Sequence, residues 1–351
     1  MVAGLDLAVE LVTGSAASVL DPGAPDIYFT SAYGAAAQHS ERGEWCLVYG
    51  ADGRWQIPLI LRPVLSGGVD AVSPYGYSGA YAHPDLSVSE VTSLWDRTLE
   101  VLREEGVISL FLRRSPLVNQ APLPALSVLV VEAHPTYFID TDDVDTLWKR
   151  MEGRARTAIR KANRTGMSVD IRSVSLEDLQ AGSAFRTIYA QTMAKVNARR
   201  YYLFDDEYYR ILHEKLESSL LIATVRSGEG EIQAASLFMA HHGVLHYHLS
   251  GSSRDGTRAG ATSLLLWKLL EHAAHTGARG VFLGGGVQPG DGLERFKRGF
   301  GGDQRNYTAA GVIVDDAAYE NAVAASARRQ GVTVSQLQDL RFFPAYRKEV
   351  K

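Results

Sequence analysis

A run of three glycines at residues 284–286 ends a short apolar segment, and a basic segment at residues 292–300 follows it closely. An apolar run that stops at glycines predicts a buried strand whose end lies close to another group, because glycine has no side chain to block the approach. In the basic segment, Phe296 and Phe300 are four residues apart and share one helical face, with Lys297 beside them. A cation at such a strand end is suited to stabilising an oxyanion. A glycine-rich strand end followed by a basic helix also occurs in α/β proteins without any catalytic role. Other parts of the sequence are therefore needed to distinguish a functional role from a structural one.

A second feature is a cluster of positive charge in residues 149–164, where seven basic side chains accompany one acid, Glu152. The whole chain has a formal net charge of −4, which argues against indiscriminate coating of nucleic acid, since that requires broad neutralisation of phosphates. A local basic helix is compatible with an RNA contact. It is equally compatible with a solvated helix face.

Other kinds of chemistry are less well supported by the sequence. His241, His242, His246 and His248 have spacings open to metal binding, but alternating strand positions beside apolar residues more often serve packing. Cys46 is the single cysteine and lies in an apolar run, so we expect a buried thiol rather than a nucleophile. The Gly-x-Ser-x-Gly elbow of serine hydrolases is absent from the sequence. We therefore expect neither a metal site nor a bound cofactor.

The elements that would position these residues are predicted twice, in a similar order. The first set contains a helix over residues 27–38, strands over 45–49, 56–63 and 68–72, a helix over 87–105, and strands over 107–112, 127–132 and 137–140. The second set contains a basic helix beginning near residue 144, a strand over 166–171, a long helix over 175–195, a further helix opened by residues 205–209, strands over 220–225, 231–240 and 243–250, a helix over 261–276 and a strand over 281–283.

This repetition predicts two copies of one structural unit. We place the first domain at residues 1–145 and the second, with the active cleft, at 146–314. The C-terminal segment, residues 315–351, is predicted to pack back on the first domain, because burial of its aromatic side chains favours packing. The loop that carries Tyr75 and Tyr77 either lines a pocket or is an ordinary surface loop.

The sequence also bears on the compartment. No run approaches the roughly 18 consecutive apolar residues of a membrane span, and the first ten residues lack the basic start and apolar region of a signal peptide. We therefore expect a cytoplasmic protein without stable membrane insertion.

Several of these segments resemble the Fem-type (FemABX) aminoacyltransferases. The similar segments, in the order seen in that family, are residues 247–252, the helix 264–274, Gly277, residues 282–286 and residues 292–300. Residues 154–166 also resemble that family, and the likeness extends over about residues 27–307. The resemblance implies an α/β (α+β) fold of two tandem GNAT-like domains, each a mixed, mostly antiparallel sheet flanked by helices.

The FemABX resemblance also implies an activity. Members of that family pass an aminoacyl group from charged tRNA to an amine, most familiarly on a cell-wall precursor, while relatives in natural-product pathways acylate small amines or hydroxylamines. It implies aminoacyl-tRNA as the donor, a small-molecule or peptidyl amine as the acceptor, and no cofactor. Transfer from an activated ester needs neither a metal nor a covalent nucleophile. This requirement agrees with the sequence, in which we recognise neither a metal site nor a nucleophile.

Site residues follow from this resemblance. Lys297 would stabilise the charge on the ester carbonyl, with the Phe296 backbone against it. The expected substrate-binding residues are Tyr75, Tyr77, Arg200, Tyr208, Tyr247, Gly284, Gly285 and Gly286. The expected tRNA-binding residues are Arg154, Arg156, Arg160, Lys161 and Arg164.

The sequence departs from the FemABX pattern in two ways, and it leaves two alternative functions open. The long paired helical arm of some cell-wall members has no counterpart here, and the glycines and arginines of residues 254–262 do not fit the CoA phosphate-loop spacing cleanly. Backbone amides at a helix start are suited to binding a phosphate, such as that of CoA. An acyl-CoA-dependent N-acyltransferase therefore remains the alternative. The other alternative is a catalytically silent binding protein in which Lys297 only pairs with an acid.

Overall fold

The computed structural model describes residues 6–125, 127–338 and 342–350. The chain divides into two compact units, of which the first is Met1–His134 with Asn306–Lys351 and the second is Pro135–Arg305. The acidic link after residue 140, where we place the domain boundary from sequence, lies inside the second unit. Residues 1–5, part of the N-terminal segment considered above for a signal peptide, lie outside the described residues, as do residues 339–341 of the C-terminal segment.

The first unit is built from these elements: β1 (Val9–Val12), α1 (Gly14–Ser18), α2 (Ser31–Glu41), β2 (Glu44–Gly50), β3 (Trp55–Pro63), β4 (Val69–Val72), β5 (Tyr81–Ala82), α3 (Val88–Glu104) and β6 (Val107–Arg114). Strand β7 (Val128–Asp140) then leads into the second unit.

The second unit continues with these elements: α4 (Val144–Arg150), α5 (Gly153–Arg164), β8 (Ser168–Ser173), α6 (Leu176–Leu179), α7 (Ala184–Lys195), α8 (Asp206–Leu216), β9 (Leu220–Arg226), β10 (Ile232–His241), β11 (Val244–Ser252), α9 (Arg254–Ala259), α10 (Ala261–Thr276), β12 (Gly280–Gly285) and α11 (Gly292–Arg298). Strand β13 (Asp303–Ile313) returns the chain to the first unit, which ends with α12 (Asp316–Gln330) and α13 (Val334–Leu337).

The two units have the same strand order. In the first, the order is β1-β2-β3-β4-β6-β13, with β5 beside β3. In the second, it is β8-β9-β10-β11-β12-β7. Neighbours are antiparallel except for one parallel pair in each unit, β4 with β6 and β11 with β12. A helix connects each parallel pair, α3 in one unit and α10 in the other, as a parallel connection requires. The predicted duplication is therefore confirmed.

The two connecting helices pack in different ways. Helix α3 begins at the predicted capping box, in which Ser87 and Glu90 satisfy each other's backbone amides. Its buried residues, including Leu94 and Trp95, belong to the core of the first unit. Helix α10 is buried over most of its circumference and packs in the core of the second unit with α5 and the sheet. This extensive burial fixes the position of α10 beside β12, the strand that leads to the glycines.

The sequence prediction is wrong at three places. The long helix over residues 175–195 is two helices, α6 and α7, because Gly182 has a φ of +81° and Ser183 caps α7. The basic helix is interrupted at Met151 and Glu152, whose extended backbone separates α4 from α5. The two strands predicted over 127–132 and 137–140 are the single strand β7, because Pro135 between them is compatible with extended backbone.

The end of the chain lies in the first unit. Helices α12 and α13 form a hydrophobic cluster with Ile108 and Tyr346. The Tyr346 hydroxyl lies 2.7 Å from the Ser109 hydroxyl, and Arg347 Nε donates to the buried Asp70 carboxylate at 2.8 Å. These contacts attach the last described residues to β6 and β4.

Candidate active site

The glycine-rich end of β12 is buried and irregular. Phe282 pairs with Phe138 and Gly284 with Tyr137, so Leu283 is an extra residue that forms a bulge. Gly284 has a φ of +65°, which favours glycine. A β-carbon on Gly286 would lie 2.3 Å from Asp291 Oδ1. The glycines are thus required by the backbone turn and by the close approach of the following loop.

The parallel pairing of β11 with β12 is short. It joins Val244 to Gly280, Leu245 to Val281 and His246 to Phe282, and the described ladder ends there. The last three residues of β12 and the second half of β11 therefore lie beyond the point where the two strands part. This opening between parallel strands is the feature around which the site is built.

The loop between β12 and α11 is held by two carboxylates. Asp291 caps α11 by accepting the Glu294 amide at 2.7 Å, and its other oxygen accepts the Val287 and Gln288 amides at 2.7 and 2.9 Å. Glu294 is buried, accepts the Tyr137 hydroxyl at 3.0 Å and accepts the Gly290 amide. These contacts fix the start of the short helix that carries Lys297.

Lys297 connects the two parted strands. Its side chain is only 6% exposed, and its Nζ donates to the Gly285 carbonyl of β12 at 2.7 Å. The same Nζ lies 5.4 Å from the centre of the Tyr247 ring of β11, a cation–π distance. Among the described residues, no carboxylate lies within ion-pair distance of this ammonium. Burial lowers the pKa of Lys297 to about 7, with the Asp291 charge acting in the opposite direction.

This electrostatic arrangement can be tested without an activity assay. We expect Asp291→Asn to lower the pKa of Lys297 further, because Asn keeps an acceptor for the helix cap while the negative charge is lost. The measurement is the titration of isotope-labelled lysine by NMR. Asp316→Asn, at the start of α12 in the first unit, is the matched control. An unchanged Lys297 pKa in the Asp291 variant would contradict the arrangement described here.

The predicted residues around Lys297 are only partly brought together. Tyr247 is beside it, and the Tyr247 hydroxyl forms hydrogen bonds with Ser236 and Ser250. Phe296 packs on the core of the second unit, with its ring centre 5.3 Å from that of Phe300. The structure therefore groups Lys297 with Tyr247 and with residues 284–286, while Phe296 anchors the helix.

Tyr208 is held next to a histidine whose hydrogen bond the sequence did not predict. Its hydroxyl lies 2.9 Å from His248 Nε2, and its ring stacks on Phe204 at 4.1 Å. His248 is the extra residue of a bulge in β11, since Leu237 pairs with Leu249 and Phe238 with Tyr247. Burial lowers the pKa of His248 to about 3, so this imidazole is neutral at pH 7. A bulge depends on pairing with a neighbouring strand, which explains why strand periodicity alone missed it.

The remaining substrate-binding candidates lie elsewhere. Arg200 is exposed on a short 3-10 turn between α7 and α8. Tyr75 and Tyr77 belong to the first unit, where both are half-buried. The Tyr75 carbonyl accepts the Tyr33 hydroxyl at 2.6 Å, and the Tyr77 ring meets Tyr28 and Tyr307 edge-on at 6.1 and 5.4 Å. This loop is therefore packed in an aromatic cluster.

The predicted RNA-binding arginines fall into two groups. Arg156 is half-buried and donates to the carbonyls at the end of α4, including Lys149 at 3.2 Å, so it joins α4 to α5. Arg154, Arg160, Lys161 and Arg164 are exposed on α5. Three of these four also make local contacts: Arg154 with the Arg295 carbonyl at 2.5 Å, Arg160 over the Trp148 ring at 5.2 Å, and Lys161 with the Arg258 carbonyl at 2.8 Å.

The start of α10 is packed against protein. Residues 254–259 form helix α9 rather than an open loop. A β-carbon on Gly260 would lie 2.5 Å from the Ala158 carbonyl of α5, and Ala261 is fully buried. Helix α5 therefore occupies space that a phosphate group would need at this helix start.

Other sites considered from the sequence have simple explanations. Cys46 is buried in the core of the first unit, and burial raises its pKa to about 12, which disfavours a thiolate nucleophile. Among the residues that the structure describes, no three His, Cys, Asp or Glu side chains are grouped as metal ligands. Within the same part of the chain, no helix has the length and apolar character needed to cross a membrane.

Comparison with known proteins bears on this geometry. Residues 149–298, which include β11, β12 and Lys297, match the acetyltransferase (GNAT) domain family. The fold is that of tandem GNAT domains. Its similarity to the crystal structure of FemX has a TM-score of 0.68 at 13% identity, over 89% of this chain and 99% of that one. No curated protein matches the chain significantly by sequence.

Two further solved structures are similar over most of the chain. One is a conserved protein of unknown function from Bacteroides thetaiotaomicron, with a TM-score of 0.53, 13% identity, and 81% and 90% coverage of the two chains. The other is L-PGS from Bacillus licheniformis, with a TM-score of 0.50, 15% identity, and 78% and 85% coverage. The matched GNAT domain indicates an acyltransferase in general terms, with an acyl donor and an amine acceptor.

Proposed function

We propose that this protein transfers an aminoacyl group from aminoacyl-tRNA to an amine or hydroxylamine of a cell-wall precursor or natural-product acceptor, forming an amide. The observation that carries the proposal is Lys297, a buried ammonium without a carboxylate partner among the described residues, held where β11 and β12 part. The FemABX-like sequence segments and the exposed cations of α5 support RNA as the carrier of the acyl group.

The proposed reaction assigns one task to Lys297. The acceptor nitrogen attacks the ester carbonyl, a C–N bond forms, and negative charge develops on the carbonyl oxygen. The Lys297 ammonium has three donors, of which one is used by the Gly285 carbonyl. A remaining donor stabilises the oxyanion. The C–O ester bond then breaks, and the ribose oxygen leaves as a hydroxyl after taking up the proton that the amine loses.

The pKa of Lys297 suits this task. Near pH 7 the group is partly protonated, and negative phosphates brought by RNA favour the protonated form. A silent binding protein in which Lys297 only pairs with an acid is disfavoured, because Asp291, the carboxylate whose charge acts on Lys297, is committed to the helix cap and loop amides.

The acyl-CoA alternative is weakened by the packing of α10. In that alternative the helix start would hold a diphosphate, but α9 precedes it and the Ala158 carbonyl lies against Gly260. We therefore favour the tRNA donor over CoA.

A donor assay tests the proposed function. Purified protein is mixed with a radiolabelled pool of charged tRNAs and a panel of amine acceptors, and in parallel with acyl-CoA donors. We expect labelled amide from charged tRNA, and no heat of binding for CoA by calorimetry. Transfer from an acyl-CoA without transfer from any charged tRNA would refute the proposal.

A further inference from the structure

The chain between α7 and α8, residues 195–203, forms an exposed segment that is both basic and apolar. This α7–α8 segment exposes three cations and three large apolar side chains: Lys195, Arg199, Arg200, Val196, Tyr201 and Leu203. The side chains of Val196 and Leu203 are 60% and 52% exposed. Single apolar side chains on a surface are ordinary, but three of them within residues 196–203 form a patch.

The positive charge of the α7–α8 segment is not cancelled by neighbouring acids. Residues 179–204 contain no Asp or Glu, and the three cations form no ion pair within the part of the chain that the structure describes. Three acids open α8, but Asp205 caps that helix, while Asp206 and Glu207 each pair with an arginine at 2.9 and 2.5 Å. The three cations are therefore available to an anionic partner.

Contacts on the inner side of the α7–α8 segment determine which side chains face outward. The Tyr202 carbonyl accepts the Tyr189 hydroxyl of α7 at 2.8 Å, and the ring of Phe204, the next residue after the segment, is buried. A 3-10 turn over residues 200–202 joins these two attachments. The apolar side chains of Tyr201 and Leu203 remain exposed on the outer side, where a large surface can reach them.

The α7–α8 segment lies at the sheet edge where the candidate active site opens. At the end of β11, the Ser252 amide donates to the Thr192 hydroxyl of α7 at 3.0 Å, and a β-carbon on Gly251 would lie 2.7 Å from the Ile188 carbonyl oxygen. Helix α7 thus runs in the same direction as β11, and the residues after α7 extend past the end of that strand. Since β11 and β12 are parallel, the glycines of β12 end at the same edge.

Cations beside exposed apolar side chains match the surface of an anionic lipid bilayer. Lys and Arg side chains are attracted to anionic headgroups. Aliphatic side chains enter the boundary between headgroups and acyl chains, and Tyr favours the same depth because its ring is apolar and its hydroxyl is polar. RNA phosphates would use the cations but would leave Val196 and Leu203 in water. The composition therefore favours a lipid surface over RNA.

We propose that the α7–α8 segment binds the surface of an anionic lipid bilayer, with its cations on the headgroups and its apolar side chains at the headgroup–acyl boundary. The contact is peripheral and reversible. It goes beyond the proposed function, because binding to a bilayer requires neither RNA nor transfer. A bilayer held at this edge would present amines carried by lipids to the opening between β11 and β12, a consequence that does rest on the proposed function.

The test is sedimentation of the full chain with vesicles, in the absence of RNA and acceptor. One set of vesicles contains equal parts of phosphatidylglycerol and phosphatidylcholine, and the other contains phosphatidylcholine alone. We expect binding to the anionic vesicles to be at least about tenfold tighter, and to weaken as salt is added, because salt screens the headgroup charge. Equal affinity for the two kinds of vesicle, or binding to neither, would overturn the inference.

Two sets of substitutions separate the charged from the apolar contribution. Changing Lys195, Arg199 and Arg200 together to Gln is expected to weaken binding to the anionic vesicles by about tenfold or more, since each cation at such a surface contributes roughly fivefold. Changing Val196 and Leu203 together to Ser is expected to weaken it by about fivefold or more, because both side chains leave water on binding. All five positions are exposed, so the melting temperature should change little.

Each set has a matched control elsewhere in the chain. Changing Arg160, Lys161 and Arg164 of α5 to Gln removes the same amount of charge. Changing Leu65 and Val88 of the first unit to Ser removes two apolar side chains that are 82% and 81% exposed. We expect both controls to bind anionic vesicles as the wild-type protein does. Segment variants that bind as tightly as these controls would overturn the inference, also where the same variants lose affinity for single-stranded RNA.

A fluorescent label reports the contact directly. Cys46 is the single native thiol and is buried, so a cysteine introduced at an exposed position can be labelled selectively with an environment-sensitive dye. With the dye on Val196→Cys, we expect anionic vesicles to raise the emission and shift it to shorter wavelength. The dye on Val88→Cys, the control, should show no change. An unchanged spectrum at position 196 in the presence of anionic vesicles would contradict the proposed contact.

The proposed function fails separately from this inference. Vesicle binding through the α7–α8 segment, in a protein that transfers nothing from charged tRNA, would support the membrane contact and refute the transferase. Transfer from charged tRNA by a protein without affinity for anionic vesicles would support the transferase and refute the membrane contact. Lys297→Met is expected to bind the vesicles as the wild-type protein does, because Lys297 is buried.

Discussion

We expect the Lys297→Met protein to transfer aminoacyl groups about 10²–10³-fold more slowly than the wild-type protein, the loss seen when one oxyanion donor is removed. Met fills a similar volume but offers no donor to the developing charge. The measurement is the transfer rate in a single turnover. Lys268→Met is the matched control, because Lys268 lies on α10 and pairs with Glu271 in a partly exposed position. An equal loss in both variants would assign the effect to general perturbation.

The same substitution is expected to stabilise the fold. The folded pKa of Lys297 is about 7 against 10.5 for an ordinary lysine, so between these pH values the unfolded chain binds more protons. Burial of the Lys297 charge therefore lowers the free energy of unfolding by its full amount below pH 7. This loss disappears as the pH rises toward 10.5. Lys297→Met should raise the free energy of unfolding by about 1–3 kcal/mol at pH 7, and by less at pH 10. Urea unfolding at the two pH values checks this, and a destabilised variant at pH 7 would contradict it.

The pH dependence of transfer identifies the protonation state that acts. With an acceptor amine whose own pKa lies below the tested range, kcat/KM should fall as pH rises through the Lys297 pKa, because the protonated ammonium is the active form. A rate that instead rises through this range would assign Lys297 the role of a base.

The second large effect is expected on α5. Changing Arg160, Lys161 and Arg164 together to Gln should weaken tRNA binding roughly 10- to 100-fold at low salt, and should reduce the salt slope by about two to three. These three side chains are exposed and make few local contacts, so the melting temperature should change little. Binding by the triple variant is measured by filter retention over a salt series.

Arg156→Gln is the informative control for that experiment. Arg156 donates to carbonyls at the end of α4, so its loss should destabilise the α4–α5 junction by about 1–3 kcal/mol. The salt slope of tRNA binding should stay as in the wild-type protein. A triple variant with wild-type affinity and slope would show that the basic face of α5 is only solvated.

Much of the architecture follows from local sequence signals. The Ser87 capping box, the apolar periodicity of α3 and α10, and the repeated order of helices and strands predict the duplicated α/β fold. These features are encoded within single elements, where propensity and periodicity act directly. The interruption at Gly182 and the break between α4 and α5 were missed, because both depend on a few residues whose backbone is set by packing and capping.

The candidate site was less predictable from sequence. The glycines and Lys297 stand out by type and spacing, but the hydrogen bond from Lys297 to Gly285 and the ring contact with Tyr247 require two strands to be adjacent. The structural part played by Arg156 was hidden for the same reason, since a charged residue in a basic run looks like its neighbours. The Tyr208–His248 contact joins residues 40 positions apart and depends on a bulge. Such contacts arise from tertiary structure, which local patterns do not encode.

We propose that the acyl group comes from charged tRNA and that Lys297 stabilises its transfer. The most direct test is a single-turnover reaction with excess protein, tRNA carrying a labelled amino acid, and an amine acceptor, run with wild-type and Lys297→Met protein. We expect rapid appearance of labelled amide with the wild-type protein and a rate about 10²–10³-fold lower in the variant. Equal rates in the two proteins, or label that leaves the tRNA only as free amino acid, would contradict it.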